Sequence, residues 1–182
     1  MVTIFVAALD RLGLLTTVAG ALALLRLDVR AAYLETNDNI ALQEWHVAPS
    51  FGDLPDSALI KSEILRALKH PEEIEAKVTR LMSGSRPRRG FVAPDPVVRA
   101  LPDASNRSTV IEVRSHDEPA LLYRVGQALI TSEVTVMSAR VMTLGSEVVD
   151  VLYVQDATGE MLSETALHAV LGGISQAVQP SG

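Results

Sequence analysis

Asp10-Arg11-Leu12-Gly13 sets a carboxylate, a guanidinium and a glycine side by side where a β-rich run gives way to a helical one. The unpaired N–H groups and the dipole of a helix N-terminus attract carboxylates and other anions. Gly13 lets a ligand approach the backbone closely. Asp10 offers acceptors for an ammonium group. A free amino acid carries a carboxylate and an ammonium together, so the loop has chemistry suited to one. The same spacing also suits Asp10 as a plain helix cap with Gly13 easing a tight turn, and spacing alone leaves both readings open.

The loop occurs twice. Asp10-Arg11-Leu12-Gly13-Leu14-Leu15 returns as Asp117-Glu118-Pro119-Ala120-Leu121-Leu122, at an offset of 107 residues. The register then runs on without a gap: Val18 meets Val125, Leu22 meets Leu129, Ala32 meets Ala139, Thr36 meets Thr143 and Val47 meets Val154. A repeat of this length decides the architecture, so the chain reads as two copies of one module. Asp10, Arg11, Leu12, Gly13, Leu14 and Leu15 are the candidate ligand-binding residues. Asp117, Pro119, Ala120, Leu121 and Leu122 form a weaker second site.

The elements that must hold these loops follow from periodicity. Val2–Leu9 is β-rich, and Leu14, Leu15, Val18, Leu22 and Leu25 make a helical stripe. Val29–Thr36 and Ile40–Ala48 read as strands joined by Asn37-Asp38-Asn39, residues that tolerate tight turns. Asp56-Ser57 opens a second helix, which Pro71 ends while starting a further helical segment. Residues Ser83–Pro96, rich in Pro, Gly and Arg, read as a solvated linker. In the second copy Thr109–Val113, Val134–Thr143 and Val148–Val154 are strands, with helices from Leu121 and from a Ser163 cap. Val97–Leu101 has strand character: it closes the first sheet or serves the second, which otherwise has three strands. Strand-helix-strand-strand-helix-strand is the ferredoxin-like order, so the predicted fold is α+β, two such units in tandem. The expected boundaries are 1–82 for the first domain, 83–107 for the linker with its strand at 97–101, and 108–182 for the second.

Composition removes several functions. A net charge of −6 gives no attraction for a phosphate backbone, and 4% aromatic residues supply few stacking platforms, so nucleic acid is not an expected partner. The chain has no cysteine, hence no disulfide or thiolate chemistry. His46, His70, His116 and His168 lack ligand-type spacing, and no metal site is assigned. No phosphate loop, dinucleotide fingerprint or nucleophile-elbow motif occurs, so no catalytic residue and no cofactor is assigned. The uncharged run Leu12–Leu25 is too short to span a bilayer, which takes roughly 20 apolar residues, and it has no basic leader before it. It reads as a buried helix of a cytoplasmic protein with no membrane partner. Each module is too small to bury a generous core alone, so the two are expected to pack on each other, on a partner copy as a homodimer, or on a larger parent protein.

Asp10-Arg11-Leu12-Gly13-Leu14-Leu15 resembles the D-R-P-G-L-L signature that opens the first helix of ACT domains, which are small-molecule sensing modules. Ser105–Val113, followed by Asp117–Tyr123, is similar to the final ACT domain of the PII uridylyltransferase family. Val149-Asp150-Val151-Leu152-Tyr153-Val154 resembles that family's D-x-F-Y-V strand. The likeness covers nearly the whole chain and implies two ferredoxin-like ACT domains in tandem. In that family a nucleotidyltransferase domain modifies the PII signalling protein, an HD-type hydrolase domain reverses the modification, and the terminal ACT pair senses glutamine. The resemblance therefore implies an amino-acid sensor, with glutamine as ligand and the parent's catalytic domains, and through them PII, as partners. Neither catalytic domain is recognisable in this chain, which reads as a regulatory fragment. Glu118 stands where the family pattern has arginine and Ala120 where it has glycine; these departures make the second loop the weaker site. Two other readings stay open, a non-sensing assembly module and a free-standing ACT regulator of another metabolic enzyme.

Overall fold

The computed structural model describes residues 1–83 and 95–179; the core of the expected linker, 84–94, lies outside them. Its elements are β1 (Val2–Leu9), α1 (Leu14–Leu24), β2 (Leu27–Asn37), β3 (Ile40–Pro49), α2 (Ser57–Lys69), α3 (Pro71–Ser83), β4 (Val97–Ala100), β5 (Thr109–His116), α4 (Leu121–Thr131), β6 (Thr135–Leu144), β7 (Glu147–Gln155) and α5 (Glu164–Ala177). The strands form one seven-stranded antiparallel sheet in the order β1-β3-β2-β6-β7-β5-β4. The fold is α+β, two ferredoxin-like modules sharing a continuous sheet.

The repeat extends to backbone irregularities that no periodicity would reveal. Each module has a β-bulge between its second and third strands, at Val29/Ala31 and at Val136/Ser138. Left-handed residues recur at Gly13 and Ala120, at Arg26 and Glu133, and at Asp38 and Gly145. The modules join where β2 meets β6, with Ala32 opposite Val141, Tyr33 opposite Arg140 and Leu34 opposite Ala139. Tyr33 and Arg140 are counterparts in the repeat, so the seam is centred on a residue facing its own copy. That is the self-complementary pattern of a two-fold dimer, here within one chain.

The helices lie on one face of the sheet. Along β1 the inward Val2, Ile4 and Val6 alternate with exposed Thr3, Phe5, Ala7 and Leu9, the period-two pattern of a sheet covered on one side. One contiguous core runs beneath both modules, with Trp45, Leu22, Ile111, Leu129, Leu152 and Ile174 fully buried. α1 is buried almost all round because it packs on α2, α3 and α4 as well as on the sheet. α2 is capped by Asp56, whose carboxylate accepts the Ala58 N–H at 2.7 Å, and α5 by Ser163, whose Oγ accepts from Ala166 at 3.3 Å.

Of the two places left open for the Val97–Leu101 segment, the structure takes the second sheet. β4 pairs with β5 through Val98 opposite Val113 and Arg99 opposite Glu112, and Arg99 bridges Glu112 at 2.9 Å. Among the described residues, the second module therefore contributes four strands to the sheet and the first three. The 101–108 connection is short, and Leu101 donates its N–H to Val110 at 2.8 Å, so β4 folds back onto the strand that follows it. The outer rim of β1, equivalent to the β5 rim that β4 covers, has no strand on it among the described residues.

Candidate functional site between the modules

Both loops are tied down in the same way. The Asp10 N–H donates to Asn39 O at 2.9 Å and the Asp117 N–H to Ser146 O at 2.8 Å, which pins each loop to the hairpin turn of its own module. Leu14 N–H to Arg11 O, at 3.2 Å, and Leu121 N–H to Glu118 O, at 3.1 Å, then close a turn into the helix. The helix begins after a left-handed residue, Gly13 at φ 79° or Ala120 at φ 57°. Neither helix takes a side-chain cap. The expectation that Asp10 caps α1 is thus corrected: the left-handed residue at position 13 occupies the cap position, three residues beyond the carboxylate.

A shallow cleft, partly open to solvent, lies against the first loop. Asp10, Arg11, Gly13, Leu14 and Leu15 line it. Leu12, also expected there, does not; its side chain is exposed on the outer side of the turn. Sheet residues Leu34, Glu35, Thr36, Leu42 and Gln43 form the floor. The far wall belongs to the other module: Gly126, Leu129 and Ile130 of α4, with Val134 and Val136. The cleft therefore has acid, amide and hydroxyl groups at one end and an apolar wall at the other, a mixture common to small-molecule sites.

The cleft's polar residues differ in how far they are committed. Arg11 donates to Leu68 O at 2.7 Å, tying the loop to the last turn of α2. Gln43 is buried, and its Oε1 accepts the Trp45 indole N–H at 3.1 Å. Gly13 meets the opposite module: a Cβ built on it would stand 2.8 Å from Ile130 Cδ1, in a backbone conformation that L side chains rarely adopt.

At the second loop Leu121 and Leu122 are core residues, and Ala120 takes up a left-handed conformation that costs a non-glycine residue roughly 1 kcal/mol. Glu118 does not stand free to repel a ligand; Arg124 bridges it at 2.7 Å. The repeat puts Ala23 where Ile130 stands, so the methyl at 120 comes with a smaller residue on the helix opposite. Beneath this loop lies Asp150, fully buried. Burial pushes its carboxyl up to about 8, the Met142 amide giving partial relief and the Asp117 charge adding to the rise. The part that Gly126, Leu129, Ile130, Val134 and Val136 of the opposite module play in lining this cleft was missed in the sequence.

Fold and cleft together define a tandem ferredoxin-like protein with a cleft between its modules. No family model matches the chain. Among curated proteins it is similar to the bifunctional uridylyltransferase/uridylyl-removing enzyme of Streptomyces coelicolor, 37% identical over 185 residues that span 98% of this chain and 22% of that protein. The enzymes of the same description from Erythrobacter litoralis (32% over 185 residues, 96% and 20%) and Pseudomonas entomophila (29% over 170 residues, 90% and 19%) are similar too. The chain thus spans about a fifth of the length of the curated relatives it matches. A solved aspartate kinase from Synechocystis superposes over 98% of this chain and 28% of its own, with TM-score 0.45 and 11% identity, a likeness too loose to argue from. No helix among the described residues is long and apolar enough to cross a membrane, and no cluster of three or more His, Asp or Glu residues among them is arranged for a metal.

Proposed function

We propose that this chain is the amino-acid-sensing tandem ACT portion of a PII-modifying nucleotidyltransferase, non-catalytic itself, with glutamine as its ligand. The observation that carries the reading is the cleft whose one wall is the β1–α1 loop and whose other wall is α4 of the second module. A ligand there touches both modules, so its binding free energy depends on how they are set against each other. That is what a sensor requires: differential affinity for two arrangements, which shifts the population of whichever arrangement the attached catalytic domains favour. The carboxylate of Asp10 faces the ligand ammonium, the α1 N-terminus its carboxylate, and Gln43 with Thr36 its side-chain amide. Uridylyl transfer and its removal, named in the relatives, then belong to the rest of the parent enzyme, with PII as its protein substrate.

Calorimetric titration of the 182-residue chain with L-glutamine, with L-glutamate and L-serine as controls, tests this. Saturable heat selective for glutamine is expected. Gly13→Val places a branched side chain against Ile130 and fills the cleft mouth, so affinity should fall at least tenfold while the protein remains folded. A folded protein that gives no heat at millimolar glutamine would sink the sensing reading.

A further inference from the structure

The two modules repeat residue for residue, yet their outer rims are finished differently. β1 and β5 are counterparts at the offset of 107, so Ile4 answers to Ile111, Phe5 to Glu112 and Val6 to Val113. The rim of β5 is covered by β4. Val98 turns inward opposite Val113, and Arg99 turns outward opposite Glu112, which it bridges at 2.9 Å. α5 packs against the added strand. Under this cover Thr109, Ile111 and Ser115, on the inward face of β5, are buried. β1 has no strand on its rim among the described residues, and the counterparts Val2, Ile4 and Ala8 are only partly buried. Phe5, in the place of Glu112, is 75% exposed. One end of the sheet thus leaves in water the apolar area that a strand removes from water at the other. The helix that would flank a strand there is already present, because α2 is the counterpart of α5.

We propose that the β1 rim seats a further antiparallel strand, supplied by the longer polypeptide just ahead of Val2, as β4 is supplied just ahead of β5. Strand addition at an open edge draws its affinity from main-chain hydrogen bonds and its selectivity from alternate side chains. The chemistry of the occupant follows from β1. Opposite Val6 it carries an apolar residue, as Val98 stands opposite Val113. Opposite Phe5 it carries an uncharged one, because the carboxylate that holds Arg99 has no counterpart there. The second module also sets the route: Leu101–Ser108 turn the chain from β4 into β5, with the Leu101 N–H on Val110 O at 2.8 Å. A connection of that length brings the occupant back onto the rim. This chain spans 22% of its Streptomyces coelicolor relative, so proteins of this family have polypeptide enough to supply the strand. The proposal rests on reading the chain as part of a larger enzyme, and not on glutamine being its ligand.

The test reads amide hydrogen exchange on β1, with β5 as the internal standard. In the 182-residue chain the rim-facing amides of β1 should exchange at least about tenfold faster than those of β5. A second form of the chain carries a copy of residues Asp95–Ser108 ahead of Val2, with Arg99→Val in the copy. Its β1 amides should slow to the rate of β5. Phe5→Glu restores the acidic position, so on that background a copy that keeps Arg99 should protect β1 better than the valine copy. That reversal follows the pairing and not overall stability. The full-length polypeptide should protect β1 as the fused strand does. β1 amides that exchange alike with and without the fused strand overturn the proposal, and so does an unprotected β1 in the full-length polypeptide. Protection already present in the isolated chain, at twice its mass in solution, would give the rim to a second copy and overturn it as well. A full-length polypeptide that protects β1 and binds no glutamine keeps the strand and sinks the sensing reading. One that binds glutamine with β1 unprotected does the converse.

Discussion

Asp150→Asn should flatten the pH dependence of stability of this protein between pH 5 and pH 8, with a difference from the parent chain of roughly 4 kcal/mol across that window. The folded carboxyl holds its proton up to about 8, whereas in the unfolded chain it ionises near its ordinary 3.8. Over that interval the native state binds more protons than the unfolded state, so stability must fall as pH rises, by up to about 1.4 kcal/mol per pH unit. The loss begins above 3.8 and levels off above about 8. Asparagine does not titrate; the cost of burying its amide is the same at every pH. Urea unfolding of both proteins at pH 5, 6, 7 and 8 measures the slopes, and parallel lines would show that the Asp150 carboxyl titrates alike in both states.

The second large effect falls on the helix contact that joins the modules. Gly126 of α4 lies against Thr16 of α1, and a Cβ at 126 would overlap the Thr16 Oγ1 and stand 3.0 Å from its Cβ. Gly20 of α1 is in turn covered by the Tyr123 ring of α4, 2.9 Å from a built Cβ, and by Ile74. In an open helix, glycine to alanine stabilises by about 1 kcal/mol. Gly126→Ala should reverse that sign and destabilise by about 2 kcal/mol, because overpacking at a helix crossing forces the backbones apart. Thr16→Ala in the same chain removes the colliding hydroxyl and methyl and should recover part of the loss. A double-mutant cycle in urea reads this coupling, and additive effects would mean that the two helices do not meet at these residues.

Much of this architecture was readable because the chain states it twice. The offset that aligns Asp10 with Asp117 also aligns the bulges, the left-handed turns and the hydrogen bonds that pin each loop. Periodicity located most strands and helices to within a few residues, since β1 is buried on one side and α2, α3 and α5 along a stripe, whereas α1 is buried almost all round. What stayed hidden was long-range. The pairing of β2 with β6 carries the far wall of the cleft to the first loop, and no local pattern in Gly126, Ile130 or Val136 announces it. The position of β4 was equally undetermined, because a short strand with two exposed residues fits the rim of either sheet. Asp10 read as a cap from its place before a helix, whereas the turn through Gly13 starts the helix later. Leu12 was counted with its neighbours, and the same turn points it outward.

The two rims of the sheet have different capacities for growth. β1 presents an eight-residue rim with neither charge nor proline, lacking the devices by which proteins discourage strand addition. β4 offers four residues, one of them Arg99, at the opposite rim. Copies that joined β1 to β1 would each use up their one long rim and leave a short, charged one at either end. Among the described residues, only the short β4 rim would then remain to lengthen the sheet, and its four residues with Arg99 make further lateral growth weak.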